Sequence, residues 1–201
     1  ASAEATVQLR EGIERAIRLV EQLLALARQE DGAEGPSGPV ALDEVARETV
    51  AELYALAQAR EIDLGIDEAS QAIEVRAQRD AVALLLRNLV DNAIKYTPPG
   101  GRIDVTTLAD GNAAVLRVDD SGPGIPPAER ERVFDRFYRI AGSEQTGSGL
   151  GLAIVQAVAS RFGARVKLDC APQLGGLRAE VRFATDEAPE CHRGTSAARR
   201  A

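Results

Sequence analysis

Asn88, Asn92 and Lys95 stand four and then three residues apart in the segment Asn88-Leu89-Val90-Asp91-Asn92-Ala93-Ile94-Lys95-Tyr96-Thr97-Pro98. On a helix that spacing puts all three on one face, with Tyr96 beside them. Their neighbours Leu89, Val90, Ala93 and Ile94 are apolar, so the helix buries its other side. Two carboxamides and an ammonium on a largely buried helix call for a polar partner. A phosphate chain carrying Mg²⁺ would satisfy all three: amide oxygens are hard ligands and an ammonium pairs with phosphate. Lys95 is one of only two lysines against 22 arginines, which singles out its point charge. Taken alone, the segment is equally compatible with a half-exposed helix that binds nothing.

Three further segments have chemistry of their own. Asp119-Asp120-Ser121-Gly122-Pro123-Gly124-Ile125 follows an apolar run. A carboxylate at a strand end can accept a hydrogen bond from an exocyclic amine such as adenine N6, and Gly122 and Gly124 allow the backbone to approach a ligand closely. A lone Asp-x-Gly-x-Gly also occurs in many ordinary turns. Phe134-Asp135-Arg136-Phe137-Tyr138-Arg139 gathers three of the seven Phe and Tyr residues in one loop. The aromatics read in part as a hydrophobic plug, and Arg139 adds a bidentate donor suited to phosphate. Gly147-Ser148-Gly149-Leu150-Gly151-Leu152-Ala153-Ile154-Val155 leads glycines into an apolar helix. Free N–H groups at a helix start, together with its dipole, make an anion site. The segment lacks the Gly-Lys-Ser/Thr of a P-loop and the βαβ context of a dinucleotide fingerprint.

These segments need elements to hold them. Residues 4–30 read as one helix, with Ile13, Ile17, Val20, Leu24 and Ala27 at the 4-3-4-3 spacing of a bundle seam. The stretch DGAEGPSGP at 31–39 reads as a linker. Val40–Leu42 suits a short strand, and Asp43 is placed to cap a helix to about Arg60 with Val45, Val50, Leu53 and Leu56 inward. Residues 62–66 and 72–77 alternate like strands. Asp80 is placed to cap a helix over 81–95, which Pro98-Pro99-Gly100-Gly101 ends. Residues 102–108 and 113–119 suit a hairpin across Asp110-Gly111-Asn112. Residues 121–148 form a loop long enough to be functional. A helix from near Gly149 to Arg161 and strands at 165–170 and 178–184 complete the chain, ahead of a polar tail. This order is not the βαβαβ alternation of a Rossmann domain. It predicts an α+β two-layer sandwich, a mixed sheet with helices on one face, preceded by one long bundle helix.

The bulk numbers exclude several classes. A net charge of −7 and a pI near 4.9 disfavour a sequence-independent nucleic-acid binder. The two cysteines, Cys170 and Cys191, form no CxxC pair or Cys/His cluster, so the expectation is two reduced thiols and no zinc. No apolar run approaches the ~20 residues of a membrane helix. The absence of methionine points to an internal fragment of a longer protein, which leaves room for a membrane-anchored parent.

In this order the segments NLVDNAIKYTP, DDSGPGIP, FDRFYR and GSGLGLAIV resemble the N, G1, F and G2 boxes of sensor histidine kinases. Those enzymes use the Bergerat-type ATP-binding fold shared with gyrase, the Hsp90 chaperones and the MutL mismatch-repair proteins. The resemblance covers residues 40–184, and LVEQLLALAR before it looks like the second helix of the dimerisation and histidine-phosphotransfer domain. It implies residues 1–31 as that partial helix, 32–39 as linker, 40–185 as the ATP-binding catalytic domain and 186–201 as a disordered tail. It further implies that Asn92 ligates Mg²⁺ with Asn88 nearby, that Lys95 contacts phosphate and that Tyr96 flanks the nucleotide. By the same resemblance Asp120 reads adenine N6, Gly122 and Gly124 shape the adenine pocket, and Ile125 packs near the base. Residues 126–148 become an ATP lid whose Arg139 reaches the phosphates. Gly147, Ser148, Gly149, Leu150 and Gly151 make the phosphate-binding turn. Asn88 and Arg139 are the residues it implies closest to catalysis.

The implied reaction moves the γ-phosphoryl group of ATP, with Mg²⁺, to a histidine of the dimerisation domain, and from there to an aspartate of a response regulator. The parent is expected to be a homodimer in the bacterial inner membrane with this domain in the cytoplasm; this chain is expected to be a monomer or weak dimer. Two departures stand out. No His-Glu-(Leu/Phe)-(Arg/Lys)-(Thr/Ser)-Pro phosphoacceptor motif is present, and the only histidine, His192, sits in the polar tail, so the chain is expected to bind Mg-ATP without phosphorylating itself. Leu177 follows Gly175-Gly176 where the family often has Thr or Ser, which removes a water-mediated adenine contact. An anti-sigma-factor-type serine kinase and a non-catalytic nucleotide-sensing module are the alternatives on the same fold.

Overall fold

The computed structural model describes residues 37–67, 73–140 and 148–184. The expected bundle helix, most of the linker, Gly147, Cys191, His192 and the tail lie outside the described residues.

The chain opens with strand β1 (Gly38–Ala41) and helix α1 (Leu42–Gln58). Leu42, Val45, Ala46, Thr49, Val50, Leu53 and Ala57 form its buried stripe at helical spacing. Leu56 falls off that stripe and is 47% exposed, against the sequence expectation. Nor does Asp43 cap the helix. The helix begins one residue earlier, and the Leu42 N–H instead finds the Ile73 carbonyl 2.9 Å away. A backbone acceptor brought in by the fold thus does what a side-chain cap does elsewhere.

Strands β2 (Asp63–Asp67) and β3 (Glu74–Ala77) lead to helix α2 (Arg79–Tyr96). Asp80 lies inside the first turn rather than at the cap, where Gln78 makes no side-chain bond. Its acidic charge still suits the positive end of the helix dipole. Val82, Leu85, Leu86 and Val90 are fully buried, which makes α2 the central helix. Truncating Leu85 or Leu86 to alanine therefore carries the usual core cost of about 2–5 kcal/mol.

Strands β4 (Arg102–Asp110) and β5 (Ala113–Asp120) form the expected hairpin over Gly111-Asn112. Two single 3-10 turns, Pro127–Glu129 and Arg132–Phe134, punctuate the long loop. Helix α3 (Gly151–Arg161) and strands β6 (Arg165–Cys170) and β7 (Leu177–Ala184) follow. The α3 start lies two residues beyond Gly149 because that glycine is left-handed, with φ +71°.

The main sheet has the order β2-β4-β5-β7-β6, with β2 parallel to β4 and the other pairs antiparallel; β1 and β3 form a separate antiparallel ribbon. Register places Ile103, Val105, Leu116, Val118, Ala179, Val181 and Phe183 on one buried face, against which the three helices pack. The opposite face carries charge. Arg178 pairs with Asp119, and Arg117 and Arg182 both bind Glu180. Such a sheet, apolar toward the helices and ionic toward solvent, is the two-layer sandwich expected from the sequence. No helix among the described residues is long and apolar enough to cross a membrane.

Candidate functional site

The site is built along α2 and is closed by three glycine-containing turns. At the middle of α2, Asn88 is buried, and its Nδ2 donates to the Leu84 carbonyl at 2.8 Å. That bond ties down the amide nitrogen and leaves the amide oxygen facing α3. A methyl group placed on Gly151, at the start of α3, would lie 3.4 Å from Asn88 Oδ1 and 3.0 Å from Asn92 Nδ2. A glycine lets the first turn of α3 come this close without pushing on the two carboxamides. The predicted polar face and the predicted helix start therefore meet. The arrangement offers amide oxygens beside the free N–H groups of a helix N-terminus, a combination suited to a cation-bearing phosphate chain.

Toward the end of α2, Lys95 Nζ lies 3.1 Å from the Tyr96 hydroxyl and 4.6 Å from the centre of its ring. Arg60, from beyond α1, donates to the Lys95 carbonyl at 3.2 Å and so occupies an acceptor that the helix end leaves open. The Tyr96 carbonyl touches the next feature, since a methyl on Gly122 would stand 3.0 Å from it.

That feature is the turn after β5. Asp120 is 6% exposed. Its Oδ1 accepts the Gly122 N–H at 2.8 Å and the Leu177 N–H at 3.1 Å. Burial raises the carboxyl above its ordinary value of 3.8, and the two amides pull the other way. Both described amide bonds fall on one oxygen, so the second can serve an outside donor. Gly176 forms the wall behind it. A methyl there would sit 2.4 Å from the Asp120 carbonyl oxygen, 2.4 Å from Oδ1 and 2.6 Å from the Gly122 nitrogen. Gly124, with φ +69°, also lies over Gly176, and Ile125 packs against the core.

The FDRFYR loop docks on the third turn. The Phe137 N–H donates to the Gly149 carbonyl at 3.0 Å, and a methyl on Gly149 would press to 2.7 Å from the Phe137 carbonyl carbon. Val133 is buried, and Phe134 and Tyr138 pack on the core, while Phe137 is 61% exposed. Two of the three aromatics thus hold the loop down. Tyr138 donates a short hydrogen bond to Glu129 and lies under the Arg132 guanidinium. Arg139 is exposed. Ser148 Oγ accepts the N–H of buried Leu150 at 3.3 Å. Gly147 lies outside the described residues.

Two contacts escape a reading of the sequence. Gly176 and the Leu177 amide, both from the β6–β7 turn, meet Asp120. The resemblance tied Gly175-Gly176-Leu177 to the adenine, but nothing local says that they face Asp120.

A family model for the histidine kinase-, DNA gyrase B- and HSP90-like ATPases matches residues 77–189, and the chain belongs to that family. The sensor protein QseC of Escherichia coli K12 is 41% identical over 189 residues, which is 91% of this chain and 40% of QseC. The sensor protein kinase PmrB of Pseudomonas aeruginosa is 34% identical over 90% of this chain and 38% of PmrB. The chain thus spans about two fifths of the length of these curated relatives. Among solved structures, the mycobacterial sensor histidine kinase MprB superposes with a TM-score of 0.66 at 33% identity, covering 73% of this chain and 97% of that one. Full-length ShkA in complex with AMPPNP gives a TM-score of 0.76 at 29% identity over 93% of this chain and 40% of ShkA. Within the family, this is the ATP-binding catalytic domain of a sensor histidine kinase.

Proposed function

We propose that the domain holds Mg-ATP along α2 and presents its γ-phosphoryl group to a histidine of the dimerisation domain in the longer protein, for relay to an aspartate of a response regulator. The observation that carries this reading is the meeting of two separate sequence motifs at each of two points along the C-terminal half of α2: Asn88 and Asn92 with Gly151, and Tyr96 with the Asp120–Gly122 turn. A nucleotide needs both ends at once, a directional acceptor for the base and a cationic, amide-rich cradle for the phosphates.

At the base end, the second oxygen of Asp120 accepts the adenine N6 amine, while Gly122, Gly124 and Gly176 leave room for the ring and Ile125 packs beside it. At the phosphate end, Lys95 and Arg139 supply positive charge, and the turn before α3 offers the amides of Ser148, Gly149 and Gly151, with Ser148 Oγ holding the Leu150 N–H. Asn92, backed by Asn88, would hold Mg²⁺, whose charge neutralises the phosphate oxygens. The fit is chemical: Mg²⁺ needs few protein ligands beside the phosphate itself, and neutral amide oxygens suit it. Phosphoryl transfer asks the protein mainly for position and charge, which these residues provide. The loop 126–148 serves as the lid that excludes water.

The same reading divides the chain into a partial dimerisation helix at 1–31, a linker at 32–39, the catalytic domain at 40–185 and a tail at 186–201. It makes the parent a homodimer anchored in the bacterial inner membrane. The phosphoacceptor is absent from this chain, so labelled ATP should leave no phosphate on it. Acid-stable phosphate on a partner serine would instead favour the serine-kinase alternative. Calorimetric titration of Mg-ADP into the chain and into Asp120→Asn tests the site directly. Micromolar binding that the substitution removes supports the reading; no binding to either protein overturns it in favour of a non-catalytic module.

A further inference from the structure

The adenine-side turn is followed by Ile125-Pro126-Pro127. Neither proline has an N–H, so these two positions cannot donate to neighbouring carbonyls or tie the turn to the sheet. Ile125, preceding proline, is held to extended conformations. The turn's outer end must therefore be fastened by something else. The 3-10 turn Pro127–Glu129 brings Arg130 back toward it. Arg130 Nε donates to the Ile125 carbonyl at 3.2 Å. Its Nη1 donates to Asp169 Oδ1 at 3.0 Å, with the Leu168 carbonyl at 3.4 Å. Leu168 and Asp169 lie on β6, the strand at the edge of the sheet.

β6 and β7 form one hairpin, and its connecting turn carries Gly176 and delivers the Leu177 N–H to Asp120. The segment Asp120–Ile125 is thus joined to that hairpin at two points: at its inner end through Asp120 and Leu177, at its outer end through Arg130 and Asp169. Asp169 is held down to about 2 by the Cys170 N–H, Lys167 and Arg130, so the outer fastening stays ionised throughout the neutral range.

We propose that Arg130 is a positioning residue for base recognition: by clasping the Ile125 carbonyl to the β6–β7 hairpin, it fixes the outer end of the turn whose inner end is Asp120. The inference rests on the nucleotide-binding reading above. It assigns Arg130 no contact with the nucleotide, and it concerns the base rather than the phosphates. A planar fork is required, because a single side chain must reach a carbonyl and a carboxylate at once; lysine offers only a compact point charge.

The test compares Kd for Mg-ADP and for Mg-IDP, the inosine nucleotide, which lacks the N6 amine. It uses the unsubstituted chain, Arg130→Ala, Arg130→Lys and Asp169→Asn, with thermal unfolding of each. The unsubstituted chain prefers ADP. Arg130→Ala narrows that preference by about 3- to 10-fold, the size expected when a hydrogen-bonded support is lost. Arg130→Lys does not restore it, and Asp169→Asn narrows it less. A preference unchanged in folded Arg130→Ala overturns the proposal while leaving the nucleotide site standing. Should Arg130→Ala fail to fold, an unchanged preference in Asp169→Asn overturns it equally. Failure of the unsubstituted chain to bind ADP would overturn the underlying site and this inference with it.

Discussion

The two ends of the site, both set along the C-terminal half of α2, solve the same problem, approach to a polar ligand, with opposite materials. The end at Asp120 is made mostly of backbone. One buried carboxylate is aimed by the amides of Gly122 and Leu177, and glycines stand wherever a side chain would intrude. The end at Asn88, Asn92 and Gly151 is made of side chains on a helix, Asn88 buried and Asn92 partly exposed, beside one glycine. A backbone-built pocket tolerates almost no added atoms and gains rigidity. A side-chain cradle tolerates adjustment and can follow a ligand whose charge changes during reaction.

The comparison breaks most severely at Gly176. Valine there brings its first carbon within 2.6 Å of Asp120 and Gly122 atoms that have nowhere to move. Mg-ADP affinity should fall by at least about 100-fold, with a stability loss of about 1–3 kcal/mol from overpacking. Calorimetry and thermal unfolding measure both.

Next in size is the loss of charge at Asp120. Asn keeps the shape but surrenders a charge-assisted acceptor, for about 10- to 100-fold in affinity. The fold itself should not suffer. Burial raises the folded-state value above the ordinary 3.8, so the ionised carboxylate weighs against folding at neutral pH, and that penalty disappears as the pH falls through the raised value. Affinity moves the other way, because the carboxylate must be ionised to accept the base. The affinity ratio of the unsubstituted chain to Asp120→Asn should therefore shrink on acidification, in a range above pH 3.8. A ratio constant with pH would remove Asp120 from base recognition.

Asn92→Ala sharpens the contrast between the two ends. About tenfold of Mg-ADP affinity should be lost, the lower range for weakening a metal's surroundings, while ADP with chelator present should bind both proteins alike. Equal losses with and without Mg²⁺ would make Asn92 a plain phosphate contact. The smallest effect belongs to Gly151→Ala. Its methyl group meets both carboxamides at 3.0–3.4 Å, so affinity should drop a few-fold. Alanine meanwhile favours the helix by about 1 kcal/mol, which should leave the melting temperature unchanged or higher.

Much of this molecule is local in origin. The spacing of Asn88, Asn92 and Lys95, the glycines before α3 and the alternation in β4 and β5 are readable because helix and strand periods depend only on neighbouring residues. The order of motifs then identified the family without any contact being known. Locality also explains the misses. Asp43 and Asp80 had the right chemistry for caps, yet the first N–H of α1 found the Ile73 carbonyl across the fold. Leu56 has a core residue's chemistry and points to solvent, since the buried stripe of α1 is set by what packs on it.

The sequence by itself therefore determined the elements, the polar face of α2 and the glycine-rich turns, because each is a property of consecutive residues. Only the tertiary structure decided that Gly176 backs Asp120, that Gly151 meets Asn88 and Asn92, and that Arg130 joins Ile125 to Asp169. Apart from the local Arg130–Ile125 bond, these contacts link positions 39 to 63 residues apart. No periodicity reaches that far; the partner of a buried donor is chosen by whichever acceptor the packed core brings within about 3 Å.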